Sequence, residues 1–339
     1  MKKYILLYLL LISLQIKSQE KSLVNWLTFQ KAEQLDSIEH KPFLIDVYTD
    51  WCSWCKYMNE TTYSNKSLAQ YINQNFYAIQ LNSEKDDSIK FKGNLFLKKG
   101  KLNELAVKLL NGQMTYPTTV FIDRNGIVYP IPGYLDLRDI EPYLVYFAES
   151  LENSVLLQDF YIAYQFAYSK IYTEKISKIP DTLKPDTSGV VKWISFADFE
   201  TTKLQKPKKY VVFSYVPWCN SCKVMKKITF SNRIVAKILN ENFNLIEFDA
   251  SSTENYTLNG KQYKSLGQGQ PNELAMELFN KQFSFPALFF LDENFQPITQ
   301  IRGYATPKFL EQVLKFIQTN SYKNQKFEDF VKNYKSEIK

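Results

Sequence analysis

Four cysteines occur in the 339 residues, and they stand as two Cys-x-x-Cys pairs, Cys52 with Cys55 and Cys219 with Cys222. Sulfur exchange runs through the thiolate, which is favoured where free backbone N–H groups and the positive end of a helix dipole meet the sulfur. At the head of a helix, Cys52 and Cys219 would attack a partner disulfide. Cys55 and Cys222, one turn further in, would resolve the mixed disulfide. As staples the pairs contribute little: each closes a loop of about four residues, and stabilisation by a crosslink grows with loop length. The competing chemistry is a zinc shell of four thiolates. Zinc knuckles lie about 15–20 residues apart, whereas a domain's length separates Cys55 from Cys219, so the redox reading is preferred.

The elements that must position these sulfurs recur with them. Trp26 and Trp193, Trp51 and Trp218, and the two cysteine pairs all share one offset of 167 residues. Cys-Lys-Tyr-Met (55–58) matches Cys-Lys-Val-Met (222–225), and Asn-Glu-Leu-Ala occurs at 103–106 and again at 272–275. Pro117 answers to Pro286, and Gly133-Tyr134 to Gly303-Tyr304, with the offset drifting by only three residues. Such self-similarity marks a duplicated domain.

Within each copy, a short apolar and β-forming run, Phe43–Tyr48 or Tyr210–Tyr215, leads straight into the cysteines and predicts a buried strand feeding a helix. A helix over Ser67–Asn75 or Asn232–Asn242 and a strand over Phe76–Leu81 or Phe243–Phe248 complete a βαβ unit with parallel pairing. Strands at Thr118–Asp123 and Ala287–Asp292 follow a longer excursion. Each comes directly after a proline, which has no N–H to donate and so belongs at a bend or where pairing stops. Arg124-Asn125-Gly126 carries a tight-turn signal, weaker in Glu293-Asn294. Helices over Asp136–Glu149 and Pro307–Thr319 close the copies. The expected class is α/β, two tandem domains, each a central mixed sheet flanked by helices.

Leu151–Lys178, rich in Phe and Tyr, reads as a helix packed on one or both domains, and Pro180, Pro185 and Gly189 mark a linker. The tail beyond Asn320 is polar and lysine-rich and is expected to fray. The organisation is then a signal segment 1–18, a first domain 21–150, a linker 151–192, a second domain 193–320 and a tail 321–339.

Composition narrows the function. Apolar residues make up 45% and charged residues 23%, the balance of a folded globular protein. Setting aside Lys2, Lys3 and Lys17 takes the formal charge from +7 to +4. The remaining lysines are mixed with acids, which describes a solvated surface and not a nucleic-acid footprint. Lys2-Lys3, the apolar run Tyr4–Ile12 and the small Ser18 form a secretory signal pattern. That run is too short for the about 20 residues a membrane span needs. An exported, periplasmic or extracellular protein without stable membrane insertion after signal removal is expected, with an uncleaved anchor as the alternative.

The stretch Asp46-Val47-Tyr48-Thr49-Asp50-Trp51-Cys52 through Lys56, with Tyr116-Pro117 and Gly133, resembles the thioredoxin fold and its active site. Trp51 through Thr62 is similar to the thioredoxin-like C-terminal domain of the periplasmic thiol–disulfide interchange protein family. The resemblance covers most of 25–150 and again most of 193–320. It implies that Pro117 and Pro286 are cis-prolines facing the cysteines and that Gly133 and Gly303 are the family's glycines before the last helix. It implies a client-binding surface at Trp51, Trp54, Tyr116 and Pro117, and at Trp218, Phe285 and Pro286 in the second copy. It also implies that Asp46 is the buried acid behind Cys55, ready to exchange its proton. The second copy departs here, with Phe213 in that place, so the two sites are not expected to be equally efficient.

Both copies carry a longer segment before the proline than plain thioredoxin, residues 84–113 and 251–282, a candidate lid or partner surface. Neither Ser53-Trp54 nor Asn220-Ser221 holds the His of strongly oxidising or isomerase sites, and the lone His40 reads as a surface residue. The expected function is thiol–disulfide exchange with protein thiols and disulfides, as a reductase or electron relay between the two pairs. It needs no cofactor and no metal. A redox-sensitive chaperone using the aromatic linker is the alternative. Nothing in the sequence fixes the oligomeric state.

Overall fold

The structure, a computed structural model, describes residues 22–168, 176–180, 183–201, 208–258, 261–268 and 270–338, so the segment 1–18 read as a signal lies outside it. The chain divides into two compact units, Met1–Ile140 and Glu141–Lys339.

In the first unit, α1 (Phe29–Asp36) is capped by Thr28 and precedes β1 (Phe43–Tyr48). Then come α2 (Ser53–Thr61), α3 (Lys66–Asn75) and β2 (Tyr77–Asn82). β1 pairs in parallel with β2, Asp46 opposite Gln80, as the two-helix crossover requires. On its other side β1 pairs antiparallel with β6 (Thr118–Ile122), which turns at Gly126 into β7 (Val128–Pro132), giving the order β2-β1-β6-β7. The excursion 84–113 forms β3 (Ser88–Phe91), β4 (Asn94–Lys99), β5 (Leu102–Asn103) and α4 (Glu104–Leu109). β3 lies against α1 and sends Ile89 and Phe91 into the core. The repeated Asn-Glu-Leu-Ala is a helix start: Asn103 caps α4 through the Leu105 N–H and also donates to the Asp86 carbonyl.

The pleat of β1 sorts its side chains. Phe43, Ile45 and Val47 bury themselves with Ile79, Leu81, Val120 and Leu105 on one face. Each contributes about 2 kcal/mol by leaving water. Leu44 and Asp46 point to the other face. The strand expected at Phe76–Leu81 starts one residue later, because the Phe76 N–H closes α3 on the Ile72 carbonyl. Phe243 does the same in the second copy, on Leu239.

α5 (Leu137–Ala148) runs across the boundary into the second unit. The helix expected over Leu151–Lys178 is broken: Ser150 sits at φ 54, a short 3-10 turn follows, and α6 spans Leu157–Ala167, the residues 169–175 lying outside the description. Further along are β8 (Ile194–Ser195), α7 (Phe196–Thr201), β9 (Tyr210–Tyr215), α8 (Asn220–Ile228), α9 (Arg233–Asn242) and β10 (Asn244–Asp249). Then come β11 (Tyr256–Leu258), β12 (Lys261–Tyr263), α10 (Glu273–Leu278), β13 (Ala287–Leu291), β14 (Pro297–Arg302) and α11 (Pro307–Gln318). The sheet order is β14-β13-β9-β10-β8.

A matched pair of asparagines holds the chain entering each copy. Asn73 on α3 accepts from the Asn25 N–H and donates to the Leu23 carbonyl. Asn240 on α9 does the same with the Lys192 N–H and the Val190 carbonyl.

The tail does not fray. A 3-10 turn at Ser321–Lys323 leads into α12 (Phe327–Asn333), and Phe327 and Phe330 pack their rings on Phe316 of α11. Beyond it, Tyr334, Ser336 and the N–H groups of Glu337 and Ile338 all donate to the Glu311 carboxylate, which is buried. Three aromatics spaced along one stripe outweigh the lysines between them.

Candidate active sites

At the end of β1 the chain turns into α2 with Cys52 as the capping residue in extended conformation, and its Sγ accepts from the Cys55 N–H at 3.0 Å. Cys52 and Cys55 are joined as a disulfide. Only 5% of Cys52 and 7% of Cys55 is exposed, so a partner reaches the sulfur along one edge. Once the disulfide opens, the N–H that faces Cys52 Sγ and the helix dipole stabilise its thiolate.

Asp46 lies behind the pair on the face of β1 opposite the main cluster. Burial raises its carboxyl from the ordinary 3.8 to about 7, against the opposing pull of Gln80, whose Nε2 donates to Oδ2 at 3.2 Å. A cleft of about 450 Å³ joins Asp46 and Gln80 to Asn59, Lys56 and Cys55. A proton can therefore pass between Asp46 and Cys55 without crossing the core.

Aromatic side chains surround the sulfur edge. The Trp51 ring, 66% exposed, stands edge-on to Tyr116 at 5.9 Å, and its Nε1 donates to Glu84. Trp54 touches both Tyr57 and Tyr134, and Trp54 and Tyr57 are about half exposed. The Tyr116–Pro117 peptide is cis, Pro117 is buried, and its carbonyl accepts from the Gly133 N–H at 2.8 Å. Gly133 has φ +96 and open space on its side-chain face. The structure thus gathers Asp46, Trp51, Trp54, Tyr116 and Pro117 with the first pair. It adds Tyr57, Tyr134 and Glu84, which the sequence reading passed over. Tyr57 was visible as the i+3 partner of Trp54 on one helix face.

The second pair repeats the sulfur geometry. Cys219 caps α8, accepts from the Cys222 N–H at 3.0 Å and is disulfide-bonded to Cys222. Phe285–Pro286 is cis, and the Pro286 carbonyl accepts from the Gly303 N–H. Trp218 is exposed like Trp51, but Phe285 stands edge-on to Phe279 and stacks with Phe283 instead.

Behind and beside the sulfurs the second pair differs from the first. In place of Asp46, Asn59 and Gln80 stand Phe213, Lys226 and Glu247. Lys226 Nζ pairs with Glu247 at 2.8 Å and lies 4.0 Å from the Tyr215 ring centre. In place of Tyr57 stands Val224, fully buried, and Tyr304 is buried where Tyr134 is not. α6 packs along α8, Phe160 meets Tyr304 edge-on, and Lys227 Nζ reaches the Ala167 carbonyl. The aromatic linker helix is consumed in this packing.

Of the excursion 84–113, Glu84 and Lys85 reach Trp51 and Asp50 beside the first pair. Beyond them the segment is a hairpin on α1 whose outer face exposes Leu95 and Leu97. His40 is exposed, bonded to Asp36 and to the Arg124 carbonyl. No helix of the described residues is long and apolar enough to cross a membrane.

A family model for the thioredoxin-like domain matches residues 29–148 and 196–318. A search of curated proteins finds an uncharacterized protein of Archaeoglobus fulgidus, 24% identical over 78 residues; the match takes in 23% of this chain and 61% of that relative's length. Among solved structures, a thioredoxin-fold protein from Helicobacter pylori is 17% identical, with 38% of this chain and 80% of that one covered at a TM-score of 0.30. A thioredoxin from Thermus thermophilus is 16% identical, covering 36% and 84% at 0.27. A DsbH oxidoreductase is 16% identical, covering 45% and 99% at 0.27. With both halves matched and a disulfide-bonded Cys-x-x-Cys at a helix start in each, the chain belongs to the thioredoxin-like domain family and carries the paired cysteines of a thiol–disulfide oxidoreductase.

Proposed function

We propose that the protein is an exported reductase of protein disulfides, working through Cys52 and Cys55, with the second pair as a partner in electron supply. The observation that carries this reading is the first site's combination of an open aromatic rim with a buried acid on the cleft of the resolving cysteine. The Cys52 thiolate attacks one sulfur of a client disulfide. That bond breaks, and the departing sulfur leaves as a thiolate that takes a proton from water. Cys55 then gives its proton to Asp46 and attacks Cys52 Sγ, which forms Cys52–Cys55 and releases the second client sulfur. Two electrons pass from the pair to the client. Asp46 returns the proton when a dithiol donor reduces the pair again.

Export rests on the Lys2-Lys3 start, the apolar run and Ser18. The reductive direction rests on the absence of His between the cysteines. Relay rests on the different surroundings of the two pairs. The chaperone alternative is disfavoured because Phe160 and Tyr164 of the aromatic helix are buried. The deciding experiment measures the reduction potential of each pair with the other changed to Ser. Values near −270 mV favour reduction, and values near −120 mV would overturn it in favour of oxidation. If mixing two chains, each with one pair changed to Ser, matches the intact chain in turnover, the relay part fails.

A further inference from the structure

The second cysteine pair meets a carboxylate that the first lacks. Glu149, the residue after α5, turns its Oε1 to the Asn220 N–H and its Oε2 to the Ser221 N–H, both at 3.0 Å. The Ser221 hydroxyl also donates to Oε2. Ser221 Oγ lies in turn 3.5 Å from Cys219 Sγ. These N–H groups are the first two of α8, the unpaired donors of a helix start that otherwise favour an ionised capping sulfur. At the first pair, no side chain of the described residues accepts from the Ser53 or Trp54 N–H.

The rest of the intervening segment follows Glu149 over the same face. A Cβ at Gly303 would lie 2.6 Å from Ser154 Oγ, whereas Gly133 has nothing within 4 Å. The same segment places Phe160 on Tyr304. The other ionisable groups around the Glu149 carboxyl are Lys223 on α8 and Tyr168 at the end of α6. Burial outweighs the pull of its three donors and Lys223 and leaves the carboxyl above its ordinary value.

We propose that Glu149 is a positioning residue of the second site: although Cys219 keeps the Cys222 N–H that matches the Cys55 N–H at Cys52, a carboxylate on the first two N–H groups of α8 offsets the positive helix start that is left open at Cys52, so that Cys219–Cys222 is the pair of lower reduction potential. This rests on the oxidoreductase reading and adds an order to it. The second pair holds its disulfide under conditions that reduce the first, and once reduced it is the stronger donor of the two.

The test uses the full chain in glutathione buffers, with Cys52 and Cys55 changed to Ser so that the second pair reports alone. Two glutathione thiols become one glutathione disulfide as Cys219–Cys222 takes up two electrons and two protons. Glu149→Gln is expected to shift this equilibrium toward the dithiol by about tenfold, about 30 mV. It is also expected to lower the Cys219 thiol pKa, read from thiolate absorbance against pH. The first pair, measured in the complementary background with Cys219 and Cys222 changed to Ser, should not move. An unchanged potential and an unchanged Cys219 pKa would overturn the proposal. Should Glu149→Gln not fold, the unsubstituted glutamate still decides it: the Cys219 thiol must ionise at higher pH than Cys52, and an equal or lower value refutes the idea. If instead neither pair exchanges with glutathione, the failure belongs to the oxidoreductase reading.

Discussion

The acid behind the first pair gives the sharpest quantitative expectation. Asp46 is fully enclosed, and burial lifts its carboxyl from 3.8 to about 7. In the folded chain it therefore holds a proton that the unfolded chain has lost throughout the interval between those values. Native binding of that extra proton makes stability fall as pH rises. The stabilisation is complete below 3.8 and gone once the pH passes about 7. A gap of about three pKa units at 1.36 kcal/mol each puts the loss on the order of 4 kcal/mol. Asp46→Asn keeps the shape and removes the charge, so it should abolish this slope and leave the first unit more stable than wild type at pH 8. The measurement is urea unfolding of the oxidised full chain at pH 4 to 8, with amide exchange at Ile45 and Val47 isolating the β1 sheet. The same variant should also slow release of client mixed disulfides, because Cys55 loses its proton acceptor. Parallel pH dependences for wild type and Asn variant would show that Asp46 is an ordinary solvated carboxylate and refute the proton route.

Other expectations follow from the same geometry. Cys55→Ser should accumulate a mixed disulfide between Cys52 and client, visible on non-reducing gels, and Cys52→Ser should abolish it. Trp54→Ala removes a half-exposed ring bridging Tyr57 and Tyr134; KM for a protein disulfide should rise about tenfold, on the order of 1.4 kcal/mol, with kcat little changed. Glu311 is buried; burial works to raise its carboxyl, but donation from Ser336, Glu337, Tyr334 and Ile338 outweighs that and holds it below 4.5. Its contribution is thus present above 4.5 and lost on acidification. Deleting residues 334–339 removes the donors to Glu311 and should destabilise the second unit at neutral pH by on the order of 2–3 kcal/mol, read as a lower Tm.

The sequence made the redox sites legible because the chemistry is local. A strand, two cysteines and a helix occupy the nineteen residues Phe43–Thr61, and the copy 167 positions later repeats them. Strand limits slipped by one at Phe76 and Phe243 because an N–H to a carbonyl four residues back decides where a helix stops, and composition does not record that bond. The folded tail was hidden because its lysines masked the stripe of Phe327, Phe330 and Tyr334, and because the acid it satisfies lies 23 residues or more upstream. Glu149 was out of reach for the same reason, 72 residues from Ser221. Long-range polar pairing leaves no periodic trace in a sequence.

The twin asparagine clamps say where the ancestral domain began. Asn73 and Asn240 each fasten a leader that carries its own tryptophan, Trp26 or Trp193, against a ring of the following helical region. The duplicated piece thus started upstream of both tryptophans, ahead of the first helix of either half. Anyone cutting the halves apart should therefore cut before Leu23 and before Val190, since a break at Phe29 or Phe196 would strip each half of a strap that was copied with it.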